Sequence, residues 1–511
     1  MEGWACWLDR RPTVILLLLA ALYGFLVQGP LRNILWYDEL HTYYIAQAPS
    51  VGGMFEEMRR VDLNPPLIYF LVRASHAVFG VTPVATRLPS VIAFFLGSAA
   101  ALVFLSRRVG GLWAAAAVVL FWYSPYFRYA TEARPYGILL AFFALVLVSW
   151  DSATSETRPL QTGRGWALAG IAAGNTGMML SHVLAPLSIM PFCVAELVRS
   201  VRRRRIDGAV WAALLLPLGF GVLNLRSLRQ VGTTIYPALF RASTAKIGAF
   251  YGEAGALVLP ALIPALALAF LVAAWRRGHS AEWRLFASWD APLLAAALLP
   301  PVLLNLMMMR GGGPFWDRYC ITTALTIYFV IVLFVAHECR LNRLAGLAAL
   351  LAMLGFSLYR EVRVLDRQAQ LVAAQSVAID RVRPELPFVV SAGTTFLALD
   401  HQENAAFLQR VYFLTDEPSA LRYAHTNLFE GIAALKQYFP IRAHIESYAD
   451  FAARHPHFLV FGDPDRSDQW LLRKLAAEGA HVSKIGDFAT PYEDSRLNEV
   501  TLPARDAGAR P

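Results

Sequence analysis

Charge is scarce in this chain. Asp, Glu, Lys and Arg make up 16% of its 511 residues, against 57% hydrophobic, whereas a soluble domain carries about 25% charged residues. The shortfall is concentrated before residue 360, where long apolar runs recur. Runs of about 20 apolar residues cross the ~30 Å hydrocarbon core of a bilayer as helices, so a soluble protein is excluded. Lysine is almost missing: Lys246, Lys436, Lys474 and Lys484 are the only four among 46 basic residues. The net charge of +9 is carried by short arginine clusters beside apolar runs, such as Arg202 to Arg205. That is the pattern of topology signals rather than of a nucleic-acid stripe, and no nucleic-acid partner is expected. The four cysteines (Cys6, Cys193, Cys320 and Cys339) show no metal-ligand spacing and imply no disulfide framework. A Walker loop, an HExxH pair and a GxSxG elbow are all missing, which removes support for ATP-driven, zinc-protease and serine-hydrolase chemistry.

What is there is a series of apolar runs at about 12–31, 88–105, 111–127, 135–150, 165–181, 184–198, 208–225, 253–275, 290–308, 319–336 and 344–359. A further run, 65–81, opens with Pro65-Pro66 and carries Arg73 and His76 in its middle, where charge is expensive. Read as an interfacial amphipathic helix, it leaves eleven spans. The segments 1–11, 106–110, 151–164, 199–206, 276–289 and 337–343 then hold 16 Lys/Arg in 59 residues. The loops 32–87, 128–134, 182–183, 226–252 and 309–318 hold 13 in 102. The positive-inside rule makes the first set cytoplasmic and places the C-terminal region outside. The first run, after Arg10-Arg11, lacks a small-x-small cleavage site and reads as an uncleaved helix. Beyond residue 360, β-rich runs at 388–390, 411–414, 458–461 and 482–485 alternate with helix-like segments such as 470–478. This predicts a small α/β domain. The expected organisation is a helical membrane domain, 1–359, and an extracytoplasmic α/β domain, 360–511.

Two charged clusters fall on the outer face in this register. The first outer loop, 32–87, opens Trp36-Tyr37-Asp38-Glu39-Leu40-His41-Thr42-Tyr43-Tyr44, a helical pattern. Adjacent carboxylates on a helix point to different faces, so Asp38 aligns with His41 and Thr42, and Glu39 with Tyr43. A carboxylate partly desolvated among aromatic rings can serve as a base; the other reading is an interfacial helix with aromatic anchors and solvated acids. Glu56 with Arg59 and Arg60 reads as a salt-bridged solvent face. The second cluster is Tyr129-Ala130-Thr131-Glu132-Ala133-Arg134-Pro135-Tyr136. Charges at the start of a buried helix are either paired with each other, Glu132 to Arg134, or used. Weaker candidates on this face are His182, Arg87, and Arg318-Tyr319 after the Gly311-Gly312-Gly313 run.

Together, Asp38-Glu39 after the first span, Asp62 to Pro66, Arg87 to Ser90 opening the second span and Tyr129 to Tyr136 before the fourth resemble protein O-mannosyltransferase-like glycosyltransferases. The bacterial aminoarabinose transferases are relatives of these. The resemblance is good over about 30–150, looser to about 340 and absent beyond. It implies the GT-C fold in a bacterial inner membrane, with an outer-face active site taking a polyprenyl-phosphate sugar as donor. Asp38 would then be the base toward an acceptor hydroxyl, giving inversion. Arg134, Arg318 and Arg87 would be the candidates for the donor phosphate, since arginine meets phosphate with a planar fork. Glu39 and Glu132 would position donor or acceptor, or hold a divalent metal if one is used. His41, Tyr136, His182 and Tyr319 complete the expected site. Many bacterial members have His where this chain has Asn64, and a neutral amide is a poor ligand for a transition metal. The rival class is a lipid or sugar transporter, whose polar groups would sit near the midplane on broken helices. Here they gather at one face.

Overall fold

The computed structural model describes residues 2–62, 64–155, 163–224, 235–237, 239–256, 290–311, 313–338, 343, 346–355, 359, 379–488, 490 and 493–503. The run expected at 253–275 lies outside these residues beyond 256. The segment 276–289 also lies outside them, as does part of 344–359.

The helices, in order, are α1 (Glu2–Asp9), α2 (Pro12–Val27), α3 (Tyr37–Ala46), α4 (Val51–Val61), α5 (Leu67–Phe79), α6 (Pro83–Val109), α7 (Gly111–Tyr123), α8 (Tyr136–Thr154), α9 (Arg164–Ser181), α10 (Ala185–Arg203) and α11 (Gly208–Leu215). Further helices follow at Thr244–Ala256, Asp290–Ala297, Pro300–Gly311 and Ile321–Leu333. Among the described residues, four helices are long and apolar enough to cross a membrane: Pro83–Val109, Tyr136–Thr154, Asp290–Gly311 and Asp317–Ala336. A fifth candidate is the α1–α2 pair, bent by 86°. α7 is short for a span, but its side chains are buried almost throughout, because α2, α6 and Ile321–Leu333 surround it. α9 and α10 reach 18 and 19 residues but carry glycines and polar groups such as Asn175, Glu196 and Arg199. The glycines let helices touch. A Cβ at Gly174 would stand 3.0 Å from the Phe142 carbonyl of α8, and one at Gly97 would stand 3.1 Å from the Ala141 backbone.

The run 65–81 forms α5, 13 residues long. At 1.5 Å per residue it measures about 20 Å, less than the ~30 Å hydrocarbon core, as does the equally long α7. α5 packs on α3 and α6. Its two charged or polar interruptions find partners there, although the His76 Nδ1 is buried without one. Arg73 Nη1 donates to the Ala48 carbonyl at 2.6 Å, and the His76 ring meets Thr86 Oγ1 at 2.9 Å.

α6 is capped by the Thr82 side chain, starts on Pro83 and stops at Gly110, whose φ of 83° ends the helix. It carries the chain from Arg87 at one end of the bundle to Arg107 and Arg108 at the other. At that far end Arg108 is paired with Asp290 and Asp151, and Arg199 with Glu196 and Asp207. Asp38, Arg134, His182 and Arg318 lie at the Arg87 end.

The C-terminal part is a six-stranded sheet: β1 (Phe388–Val390), β2 (Val411–Thr415), β3 (His444–Ser447), β4 (His457–Phe461), β5 (His481–Phe488) and β6 (Ser495–Thr501), in the order β3-β2-β1-β4-β6-β5. The first four strands are parallel, while β6 runs antiparallel to β4 and β5. Four of the strands coincide with the β-rich runs of the sequence. β3 was not among them because His-Ile-Glu-Ser is a half-buried, polar edge strand. Nor was β6, which buries Leu497 and Val500 but also Asn498, whose amide donates to the Gly462 carbonyl. One face of the sheet shares a hydrophobic core with α3–α5. Phe388, Phe396 and Leu459 join Leu40, Ile45, Met54 and Tyr69 in it. The α/β region is thus seated on α3–α5, at the Asp38 end of the bundle.

Candidate active site

α3 starts where Glu39 reaches back to the Trp36 backbone N–H at 3.3 Å. The same carboxylate accepts from Arg87 Nε and Nη2, at 2.8 and 2.6 Å, and from the Ala133 backbone N–H at 2.7 Å. Arg87 spends its remaining donors on the carbonyls of Leu31, Asn33 and Ile34. Both side chains are fully enclosed. Breaking such a buried pair from one side costs about 3–5 kcal/mol. Glu39 and Arg87 therefore tie the first loop to the second cluster, and their polar atoms have little left for a substrate.

Arg134 is likewise committed, and not to the partner that sequence spacing offered. Its Nη1 donates to Asp62 Oδ2 at 2.8 Å and to the Asp38 carbonyl at 2.9 Å. Glu132 is not among its hydrogen-bond partners, and the Glu132 Oε2 is buried without one. Burial alone would raise the Asp62 carboxyl, but the Arg134 guanidinium and then His41 outweigh it and hold it at about 2. The same pair drives Arg134 far above its ordinary value despite burial. Glu132 moves the other way: burial, then the Glu39 carboxylate, pushes it up to about 8. At neutral pH it is a protonated acid able to donate a hydrogen bond.

Asp38 and Arg318 form a looser pair, although the Arg134 Nε is also buried without a partner. Asp38 Oδ2 lies 3.0 Å from Arg318 Nη1 but lacks the alignment of a hydrogen bond. The Arg318 guanidinium sits among the rings of Trp316 at 4.8 Å, Trp36 and Tyr136 at 5.8 Å, and Tyr319 at 6.0 Å. Its Nε and the Trp36 Nε1 are also buried without partners. His182, at the α9–α10 turn, lies tilted against Tyr319 at 4.9 Å and Tyr136 at 5.8 Å. Burial, then the two nearby guanidiniums of Arg134 and Arg318, lowers its ring to about 3, so it is neutral. His41 faces away from this centre. Its Nδ1 meets the Val61 carbonyl at 2.9 Å and its ring meets Phe439 of the C-terminal region.

The chain thus brings Asp38, Glu132, Arg318, Tyr136, Tyr319 and His182 together from four separate stretches. It sets Glu39, Arg87 and Arg134 as the frame around them. Three contributors carried no sequence signal of their own. Asp62 was visible only within the Asp62 to Pro66 motif. Trp316 could be found only through Arg318, and Arg128, on Asp317 at 3.2 Å, reads in sequence as an ordinary loop charge. Among the described residues, no three His, Cys, Asp or Glu side chains gather as a metal site. Asn64 instead donates to Asp62 Oδ1 at 2.8 Å.

The multi-pass helical bundle with its charged centre at one end, and a small sheet seated on that end, fits the GT-C fold class expected from the sequence. The resemblance to the O-mannosyltransferase-like family holds. Residues 63–223 match the model of the dolichyl-phosphate-mannose-protein mannosyltransferase family. The crystal structure of ArnT from Cupriavidus metallidurans bound to undecaprenyl phosphate is similar over 98% of this chain and 99% of that one, with a TM-score of 0.51 at 16% identity. ArnT from the same organism in the apo state covers 100% and 99%, with a TM-score of 0.49 at 13% identity. No curated protein matches the chain.

Proposed function

We propose that the chain is an inverting glycosyltransferase of the bacterial inner membrane. It moves a hexosyl or pentosyl unit from a polyprenyl-phosphate donor to a hydroxyl of an extracytoplasmic lipid, glycan or protein. The N-terminus is cytoplasmic, and the α/β domain, about 360–511, lies outside with the first loop. The observation that carries the reading is the pair Asp38–Arg318, an ion pair with unspent polar atoms in an aromatic enclosure at the bundle's charged end. Arg318 meets the donor phosphate and stabilises it as the leaving group. Asp38, released from Arg318 as the phosphate arrives, takes the acceptor proton while the sugar transfers with inversion. Glu132, protonated, donates a hydrogen bond to donor or acceptor oxygen. Tyr136, Tyr319 and neutral His182 form the wall. Glu39, Arg87, Arg134 and Asp62 position these groups without touching substrate, and His41 joins α3 to the outer region. No step requires a metal.

The relatives support the donor class. The matching family is described by a dolichyl-phosphate sugar, and one similar structure holds undecaprenyl phosphate. A transporter would place its polar groups near the midplane, whereas here they sit at the bundle end. The test is to delete the gene and analyse lipid-linked sugars. One polyprenyl-phosphate sugar should accumulate while one envelope glycoconjugate loses a sugar. Unchanged pools of both would reject the transferase.

A further inference from the structure

A second enclosure lies on the other side of α3. Five residues of helix turn the chain by about 500°, so Tyr43 and Tyr44 point away from the face that carries Asp38. They line a cleft of about 460 Å³ between the first loop and the α/β region, with Glu57 of α4, and His401, Tyr438 and Arg442 opposite. That volume suits a small ligand. Tyr44 Oη and His401 Nδ1 are hydrogen-bonded at 2.9 Å, and the Tyr43 ring stands edge-on to His401 at 4.9 Å. Glu57 is only 8% exposed, and its Oε2 is buried without a hydrogen-bond partner. Burial, then the neighbouring Glu56, raises this carboxyl to about 7, the mark of a group held out of water without compensation. Tyr438 also lines a second cleft of about 520 Å³, bounded by Glu56 and Arg60.

We propose that this cleft is a carbohydrate subsite, which holds a sugar of the acceptor remote from the hydroxyl that reacts. Tyrosine rings offer apolar faces to the C–H face of a pyranose while their hydroxyls meet its rim. Glu57 Oε2, His401 and Arg442 supply the acceptor and donor groups that sugar hydroxyls need. An apolar or lipid occupant would leave Glu57 Oε2 without a partner, at a cost. The position behind α3 excludes the reacting sugar itself. The adjoining cleft past Tyr438 gives a longer glycan room to continue. That the sugar belongs to the acceptor rests on the transferase reading; that a sugar binds here does not.

The experiment is saturation-transfer NMR on the full-length protein in detergent. The probes are methyl β-glucoside, methyl α-mannoside, methyl β-galactoside, methyl β-N-acetylglucosaminide and methyl β-cellobioside. At least one should bind the wild type and bind about tenfold more weakly to both Tyr438→Ala and Glu57→Gln, as loss of one buried contact implies. Asp38→Asn should bind it as the wild type does. Binding of no probe, or binding indifferent to both cleft variants, overturns the subsite. Displacement by a polyprenyl-phosphate sugar overturns its assignment to the acceptor. Sugar binding with no transferase activity in the gene-deletion test would reject the function while leaving the subsite standing.

Discussion

Replacing Asp62 by Asn isolates the frame of the site from its chemistry. The side chains of Asp62 and Arg134 are 9% and 8% exposed, so solvent screens their attraction little. Holding the Asp62 carboxyl at about 2, from an ordinary 3.8, corresponds to about 2.5 kcal/mol between its charged and neutral forms. The asparagine variant also strands the Arg134 charge, which keeps only the Asp38 carbonyl and a long contact to Thr42. Stranding one member of a buried pair costs about 3–5 kcal/mol, and this larger effect should dominate at pH 7. Because the folded value is depressed, the ionised Asp62 contributes fully above about 3.8. Its contribution is lost as pH falls toward 2, so wild type and variant should converge in acid. Thermal unfolding in detergent across pH 3–8 measures the gap. Turnover should fall about tenfold, since Arg134 fixes the backbone of Asp38. Its pH profile should be unmoved, because the base itself remains. The double variant Asp62→Leu/Arg134→Leu should recover part of the stability. An Asn variant within about 0.5 kcal/mol of wild type at pH 7 would refute the reasoning.

Other expectations follow from the same geometry. Arg318→Lys should raise the apparent donor KM about tenfold or more with little change for acceptor, because lysine keeps the charge but loses the planar fork. Arg134→Lys should instead lower stability, and donor titrations with unfolding curves on both variants separate the two roles. Glu132, raised in the folded protein to about 8, should make the wild type lose stability as pH rises from about 4.5 to 8. Glu132→Gln should flatten that slope, and an unchanged slope would show that the carboxyl is ionised. For topology, cysteines at the exposed positions 60 and 128 should react with an impermeant thiol reagent from outside and one at 203 should not, in a background free of the native cysteines. Labelling of 203 from outside would invert the register.

Much of the bundle was legible because long apolar runs fold as helices: Pro83–Val109, Tyr136–Thr154, Asp290–Gly311 and Asp317–Ala336 fall on runs of the sequence. The helix α5 was legible, as was the need of Arg73 and His76 for partners, which they find in the Ala48 carbonyl and Thr86. The site was legible as a set of residues but not as a division of labour. Spacing along the chain suggested a Glu132–Arg134 pair. The fold instead pairs Arg134 with Asp62, 72 residues away, and Glu39 with Arg87, 48 away. Three arginines looked equivalent as phosphate ligands until their partners separated them: Arg87 is spent on Glu39 and three carbonyls, Arg134 is held by Asp62 through Nη1 alone, and Arg318 sits among aromatic rings. Nor does local pattern reveal that the sheet shares its core with α3–α5, since Phe388 and Leu40 carry no mark of each other.

The central claim is that Asp38 activates the acceptor in a site that Arg318 prepares for a phosphate. Its most direct measurement is transfer by Asp38→Asn, expressed in the deletion strain at wild-type level and assayed in membranes for the accumulated lipid-linked sugar and its glycoconjugate. The account expects donor binding to survive and turnover to fall by about 10²–10⁴-fold, as for loss of a general base. Turnover above about a tenth of wild type, with Arg318 intact, would contradict it.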